Sequence, residues 1–138
     1  MVSVKDRVRF VETDMMGVVH HSNYFRWFEM GRVAYMRQAN VLLLDLMAEG
    51  ILFPIVDVSC QYRSSAKFDD NIIIETTLSE LSKVKMVFTY KVIREDGVLL
   101  ATGSTKNAFA DANGKVLRLP DTYFDRLQAV FQKDKESC

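Results

Sequence analysis

Residues 13–24 read Thr13-Asp14-Met15-Met16-Gly17-Val18-Val19-His20-His21-Ser22-Asn23-Tyr24. One carboxylate, Asp14, and a glycine three residues later precede a short apolar run and a polar cluster, and a long helical pattern follows directly. This order places Asp14 beside the N-terminus of a helix, where backbone N–H groups lack partners and the helix dipole is positive. A carboxylate that faces such a helix end is suited to acyl transfer.

The pattern over residues 23–39 predicts the longest helix of the chain. With successive residues spaced by 100°, seven of its apolar or small residues fall on one arc of about 140°, interrupted only by Gln38. These residues are Tyr24, Trp27, Phe28, Gly31, Ala34, Tyr35 and Ala39. Gly31 and Ala34 lie in the middle of the arc, and small residues there allow a helix to approach a sheet closely. Ser22 or Asn23 is the expected N-cap.

Most of the remaining chain alternates between apolar and polar residues, which is typical of β-strands. We expect strands over residues 4–13, 56–63, 72–81, 86–94 and 99–109. A short helix over Leu42–Ala48 and a final helix from Pro120 to about Phe131 complete the pattern, with turns at 95–97 and 113–114. A long apolar helix wrapped by a curved antiparallel sheet predicts an α+β fold.

Composition narrows the class of protein. The 138 residues fit one domain spanning 1–138, with no repeats or linkers. Lys plus Arg and Asp plus Glu number 18 each, so no net basic charge favours nucleic acid. The first residues lack the apolar run of a signal peptide, and no run reaches the ~18 residues of a membrane span. Two cysteines, Cys60 and Cys138, form no disulfide framework, so we expect a cytoplasmic protein without membrane insertion.

The segment from Thr13 to Trp27 resembles the signature of hotdog-fold acyl-CoA thioesterases of the 4-hydroxybenzoyl-CoA thioesterase type, a group that includes the Tol-Pal-associated thioesterases. The likeness continues through residues 58–70, 82–90 and 118–120, and so covers nearly the whole chain. It implies the hotdog fold, a curved sheet around one long central helix, and hydrolysis of an acyl-CoA to a free acid and coenzyme A.

The resemblance also implies roles for individual residues. Asp14 matches the catalytic carboxylate, which acts either as nucleophile or as general base on water. His21 matches the position whose backbone N–H polarises the thioester carbonyl. Met15 and Met16 stand where small residues are common in the family, and these flexible thioethers are expected to shape the acyl pocket.

Substrate contacts are expected from a wider set of residues. Lys83 and Lys85 lie on one face of a strand start and match a position that contacts the coenzyme A phosphates. Arg63 and Lys67 are weaker candidates for the same contact. The predicted substrate-binding residues are Gly17, His20, Tyr24, Arg63, Lys83 and Lys85.

A metal site is not expected, although His20 and His21 are both possible ligands. No third ligand is evident, and adjacent side chains diverge on regular elements. No cofactor is expected either, because coenzyme A is part of the substrate.

Two other functions compete with the thioesterase interpretation. A non-catalytic acyl-CoA-binding hotdog protein would need no carboxylate beside the thioester. A hydratase or dehydratase on the same fold would place a His and an acidic residue differently. The identity of the acyl group stays open. Because a single sheet leaves an exposed edge and an open groove, we expect a homodimer or homotetramer.

Overall fold

The computed structural model describes residues 1–136 and contains one antiparallel sheet and three helices. The strands are β1 (Val2–Arg7), β2 (Ile55–Tyr62), β3 (Asn71–Leu81), β4 (Lys85–Arg94) and β5 (Leu99–Ala108). The helices are α1 (Ser22–Gln38), α2 (Leu43–Ala48) and α3 (Asp121–Glu136). This is the α+β fold that the residue pattern predicts and the hotdog arrangement that the family resemblance implies, with α1 as the central helix.

The strand order in the sheet is β1-β3-β4-β5-β2, and every neighbouring pair is antiparallel. Strand β4 lies at the centre and shows the predicted alternation most clearly. Its residues Met86, Phe88, Tyr90 and Val92 are all buried, whereas Thr89 and Lys91 between them are exposed. One face of the sheet therefore forms the core, and α1 packs against that face.

Helix α1 lies unusually close to the sheet at two glycines. A methyl group at Gly31 would overlap Oγ1 of Thr76 on β3, and one at Gly103 would overlap the ring of Phe28 and the carbonyl oxygen of Ser59. The ring of Phe28 stacks on Tyr90 with centroids 4.3 Å apart and planes 10° from parallel. The predicted close approach at Gly31 is confirmed.

The first predicted strand is too long. Strand β1 ends at Arg7, and the chain turns away from the sheet through a short 3₁₀ helix at Phe10–Glu12. The N–H of Arg9 donates to the Glu12 carboxylate at 2.7 Å and closes this turn. At Arg9 this local hydrogen bond takes the place of a bond to a neighbouring strand. The alternation of apolar and polar residues therefore extends further along the chain than β1 itself.

Strand β2 forms one edge of the sheet. Within residues 1–136, its outer edge pairs with no other strand, and all its residues except the half-buried Cys60 are exposed. Ile55, Val56, Val58 and Tyr62 are between 43% and 56% exposed. Exposed apolar edge strands of this kind can pair with a strand of another chain.

Cys138 lies outside the described residues, so the expectation that it does not pair with Cys60 stays a prediction.

None of the helices within residues 1–136 combines the length and the apolar character that a membrane crossing requires.

The contact at Gly31 predicts the effect of one added methyl group. Gly31→Ala should lower the free energy of unfolding by about 1–3 kcal/mol, because overpacking outweighs the roughly 1 kcal/mol that alanine gains in helix propensity. Urea unfolding followed by circular dichroism measures this difference.

A double-mutant cycle with Thr76→Ala supplies the control, since this substitution removes the overlapping Oγ1 atom. Gly31→Ala should cost clearly less in the Thr76→Ala background. An equal loss in both backgrounds would show that the closeness of α1 to β3 does not limit residue 31.

Candidate active site

The loop before α1 is a tight hairpin that carries Asp14. Thr13 and Val19 form a β-bridge, and the N–H of Asp14 donates to the carbonyl of Val18 at 2.9 Å. The N–H of Gly17 donates to the carbonyl of Asp14 at 3.1 Å, and Gly17 has a φ of +79°. A positive φ strains any side chain with a Cβ, so this turn favours glycine.

One oxygen of the Asp14 carboxylate stabilises the hairpin and the other is open. Oδ1 accepts the N–H of Met16 at 2.8 Å. No donor in the described part of the chain lies within hydrogen-bonding distance of Oδ2, and the residue is exposed. The carboxylate is therefore oriented by its own loop, and one oxygen stays available for a ligand or water.

The buried Glu12 fixes this loop to the start of α1. Its side chain is 1% exposed and accepts the indole N–H of Trp27 at 3.2 Å, in addition to the Arg9 N–H. Its backbone carbonyl accepts the N–H of His20 at 2.9 Å and Nδ2 of Asn23 at 3.0 Å. Sequence reasoning missed Glu12, because its partners lie both before it, at Arg9, and well after it, at His20, Asn23 and Trp27.

The N-terminus of α1 faces the same space as Asp14. The N-cap is His21, which makes no capping hydrogen bond with its side chain. The expectation of a Ser22 or Asn23 cap is wrong, because Asn23 donates its amide to Glu12 and Ser22 lies in the first turn. Within residues 1–136 the N–H of His21 has no acceptor, so a free donor remains at the positive end of the helix dipole.

A cavity of about 330 Å³ lies between this helix end, the Asp14 loop and the end of β2. Five predicted site residues line it together: Asp14, His20, His21, Tyr24 and Arg63. Gly17 shapes the adjoining turn without lining the cavity. The other lining residues are Val19, Tyr62, Ser64 and Ser65. Sequence reasoning missed Tyr62 as a site residue; its one signal in the sequence is that it is the aromatic residue of β2 and ends that strand.

Two tyrosines form one wall of this cavity. The Tyr24 and Tyr62 rings meet edge to face with centroids 5.0 Å apart. Burial is the main cause that raises the pKa of both, and the pKa of Tyr62 reaches about 12. Both phenols are therefore neutral at pH 7 and keep their O–H groups. Tyr24 is 2% exposed, so it belongs to the core and to the cavity wall at once.

The two histidines lie side by side, with ring centroids 4.1 Å apart, and so do not diverge as expected. His20 uses Nδ1 to contact Oγ of Ser22 at 2.9 Å. In the part of the chain that the structure describes, no three His, Cys, Asp or Glu side chains come together as a potential metal site. The absence of a metal stays a prediction.

Lys83 and Lys85 lie far from this cavity within one chain. Lys85 pairs with Ala108, at the end of the sheet where β2 begins, whereas Tyr62 is at the opposite end of β2. At 3.3 Å per residue the length of β2 separates these ends by about 23 Å. Lys83 contacts Asp121 at 2.7 Å and Lys85 contacts Glu80 at 3.6 Å. Lys67 lies in the turn beside Val18, away from the cavity lining.

A second groove, of about 390 Å³, lies on the sheet face that points away from α1. Polar residues such as Ser59, Thr77, Thr89 and Thr102 line it. It contains no helix end and is an alternative place for a ligand. The cavity at Asp14 is slightly smaller but brings a carboxylate and a helix N-terminus together.

Residues 8–131 match the sequence model of the thioesterase-like superfamily. A putative esterase of Aquifex aeolicus is 34% identical over 88% of this chain and 94% of its own length. A putative acyl-CoA thioesterase of Bacillus subtilis, YneP, is 31% identical over 80% of each chain. The crystal structure of a DHNA-CoA thioesterase from Staphylococcus aureus superimposes with a TM-score of 0.88 at 30% identity, covering 97% of this chain and 90% of that one.

Proposed function

Since the chain belongs to the thioesterase-like superfamily and is an enzyme of the thioesterase class, we propose that Asp14 and the N-terminus of α1 together hydrolyse an acyl-CoA thioester. One observation carries this proposal: Asp14 and His21 line the same cavity, and among residues 1–136 neither Oδ2 of Asp14 nor the N–H of His21 has a hydrogen-bond partner. The products are a free acid and coenzyme A.

The N–H of His21 supports the first step of this reaction. A thioester carbonyl that accepts this hydrogen bond carries more positive charge on its carbon. The oxygen becomes negative as the tetrahedral intermediate forms, and a fixed donor at a helix N-terminus stabilises that charge. Because no acceptor among residues 1–136 occupies this N–H, the donor is available without rearrangement.

Asp14 can complete the reaction by either of two routes. As a general base, it takes a proton from water while the water oxygen adds to the carbonyl carbon. The C–S bond then breaks and the coenzyme A thiolate takes up a proton. As a nucleophile, Oδ2 adds to the carbonyl carbon, the thiolate leaves, and water hydrolyses the mixed anhydride. Both routes need the open oxygen that the hairpin provides.

The coenzyme portion of the substrate is proposed to contact a second chain. If two β2 strands pair in an antiparallel manner about a two-fold axis, the beginning of one β2 lies beside the end of the other. The partner's Lys83 and Lys85 then approach the cavity that Asp14 lines. Their ion pairs with Asp121 and Glu80 are largely exposed and so easily exchanged for phosphate.

This arrangement gives a homodimer with two sites, each formed by both chains, and a tetramer can form from two such dimers. The exposed apolar residues of β2 favour it. It also removes the free edge that a monomer would leave. The cytoplasmic location and the absence of a cofactor stay predictions.

Asp14→Asn is the direct test of the catalytic carboxylate. The amide oxygen of asparagine can still accept the Met16 N–H, so the hairpin should keep its shape. Loss of a positioned acid or base costs about 10²–10⁴-fold in rate, so kcat should fall at least a hundredfold while KM changes little. Release of free thiol from a panel of acyl-CoA substrates measures both constants.

Asp111→Asn is the matched control, because Asp111 also orders a turn by accepting the backbone N–H groups of Asn113 and Lys115. It lies outside the cavity and should keep full activity. An Asp14→Asn enzyme as fast as the unmodified protein, or an unmodified protein that binds acyl-CoA without releasing thiol, would favour the non-catalytic binding protein.

Complementation between two variants with different defects tests the shared site. Lys83→Ala with Lys85→Ala should raise KM for acyl-CoA and leave kcat less affected. When this protein is mixed and exchanged with Asp14→Asn protein, each mixed dimer should contain one site with Asp14 from one chain and both lysines from the other. Activity with the original KM should therefore reappear on mixing.

Lys115→Ala serves as the control for loss of a surface charge and should not change KM. A substrate that lacks the nucleotide should respond weakly to the lysine substitutions. No recovery on mixing, or a monomer of 15.8 kDa by light scattering at micromolar concentration, would contradict a site formed by two chains.

A further inference from the structure

We infer that the hydroxyl of Tyr62 is a second hydrogen-bond donor to the thioester oxygen, completing an oxyanion hole with the N–H of His21. This inference rests on the proposed function and adds a catalytic residue that neither the sequence pattern nor the family signature indicated. Tyr62 lines the same cavity as Asp14 and His21.

The Tyr62 hydroxyl lies beside the residue that provides the backbone donor. It donates to the carbonyl oxygen of His21 at 3.4 Å. The carbonyl oxygen and the N–H of one residue are only a few covalent bonds apart, so Tyr62 reaches the same end of α1. Its ring is held edge to face against the buried Tyr24, which fixes the direction of the hydroxyl.

The present hydrogen bond of Tyr62 is weak. A length of 3.4 Å lies well beyond the usual 2.5–3.0 Å of an O–H···O bond. A thioester oxygen that becomes negative is a stronger acceptor than a neutral amide carbonyl. The hydroxyl can therefore turn from the His21 carbonyl to the substrate oxygen at little cost as the tetrahedral intermediate forms.

The protonation state of Tyr62 suits a donor rather than an acid. Burial is the main cause that raises its pKa to about 12, and the nearby Cys60 adds to the effect. The phenol thus keeps its proton at neutral pH and is too weak an acid to protonate the departing thiolate, since thiols have pKa values near 8.5. Tyr62 forms a hydrogen bond and transfers no proton in either route.

The first test is the kinetics of Tyr62→Phe. This variant keeps the ring and loses only the hydroxyl. Because Tyr62 is 47% exposed, folding should be unaffected. We expect kcat to fall about 10²-fold, at the lower end of the cost of removing an oxyanion-hole donor, with KM nearly unchanged. Tyr123→Phe is the control for loss of a phenol, because the Tyr123 hydroxyl bonds to Glu49 outside the cavity.

The second test reads the hydrogen bond without turnover. Asp14→Asn protein is loaded with an acyl-CoA labelled with ¹³C at the thioester carbonyl, and isotope-edited infrared spectroscopy measures its stretching frequency. Hydrogen bonds to the oxygen lower this frequency. Adding Tyr62→Phe to the Asp14→Asn protein should move the band to higher frequency, whereas adding Tyr123→Phe should leave it in place.

The outcomes separate this inference from the proposed function. A Tyr62→Phe enzyme with unchanged kcat, or an unmoved carbonyl band, would overturn the role of Tyr62 while Asp14→Asn could still prove inactive. A Tyr62→Phe effect confined to KM, or a change of mass by light scattering, would assign Tyr62 to substrate or chain contacts and also overturn the inference. Failure of the unmodified protein to release thiol would instead overturn the proposed function.

Discussion

The close approach of α1 to the sheet at Gly31 is the constraint on which the site depends. A side chain there would overlap Thr76, and the absence of one lets the helix lie directly on β3 and β4. Phe28 then stacks on Tyr90 and fills the space above Gly103. With the helix held in this position, its N-terminus lies at one end of the sheet, beside the end of β2.

The second requirement of the site is that the loop before α1 hold the Asp14 carboxylate close to the N-terminus of the helix. The buried Glu12 holds the loop in this position, because its side chain and its backbone carbonyl accept hydrogen bonds from residues on both sides of the loop. Buried polar groups of this kind are stable only when fully hydrogen-bonded. The exposed Asp14 can therefore be specialised for chemistry, since Glu12 and the hairpin carry the structural contacts.

The sequence predicted the parts of this fold that local periodicity determines. The buried alternation of β4 and the apolar arc of α1 follow from residue spacing, and so does the importance of Gly31. The end of β1 depends on the local hydrogen bond between Arg9 and Glu12. The cap of α1 and the place of Tyr62 depend on contacts between distant segments, which residue spacing does not encode. The distance between the lysines and Asp14 likewise depends on strand register. The family resemblance provided Asp14 and His21, and the structure adds the geometry around them.

We propose that the thioester binds between Asp14 and the N–H of His21, the N-cap of α1. A crystal structure of the Asp14→Asn protein with an intact acyl-CoA tests it most directly. We expect the thioester oxygen to lie within hydrogen-bonding distance of the His21 N–H, with the thioester carbon facing the side chain at position 14. A thioester bound in the polar groove on the outer face of the sheet, away from the start of α1, would contradict it.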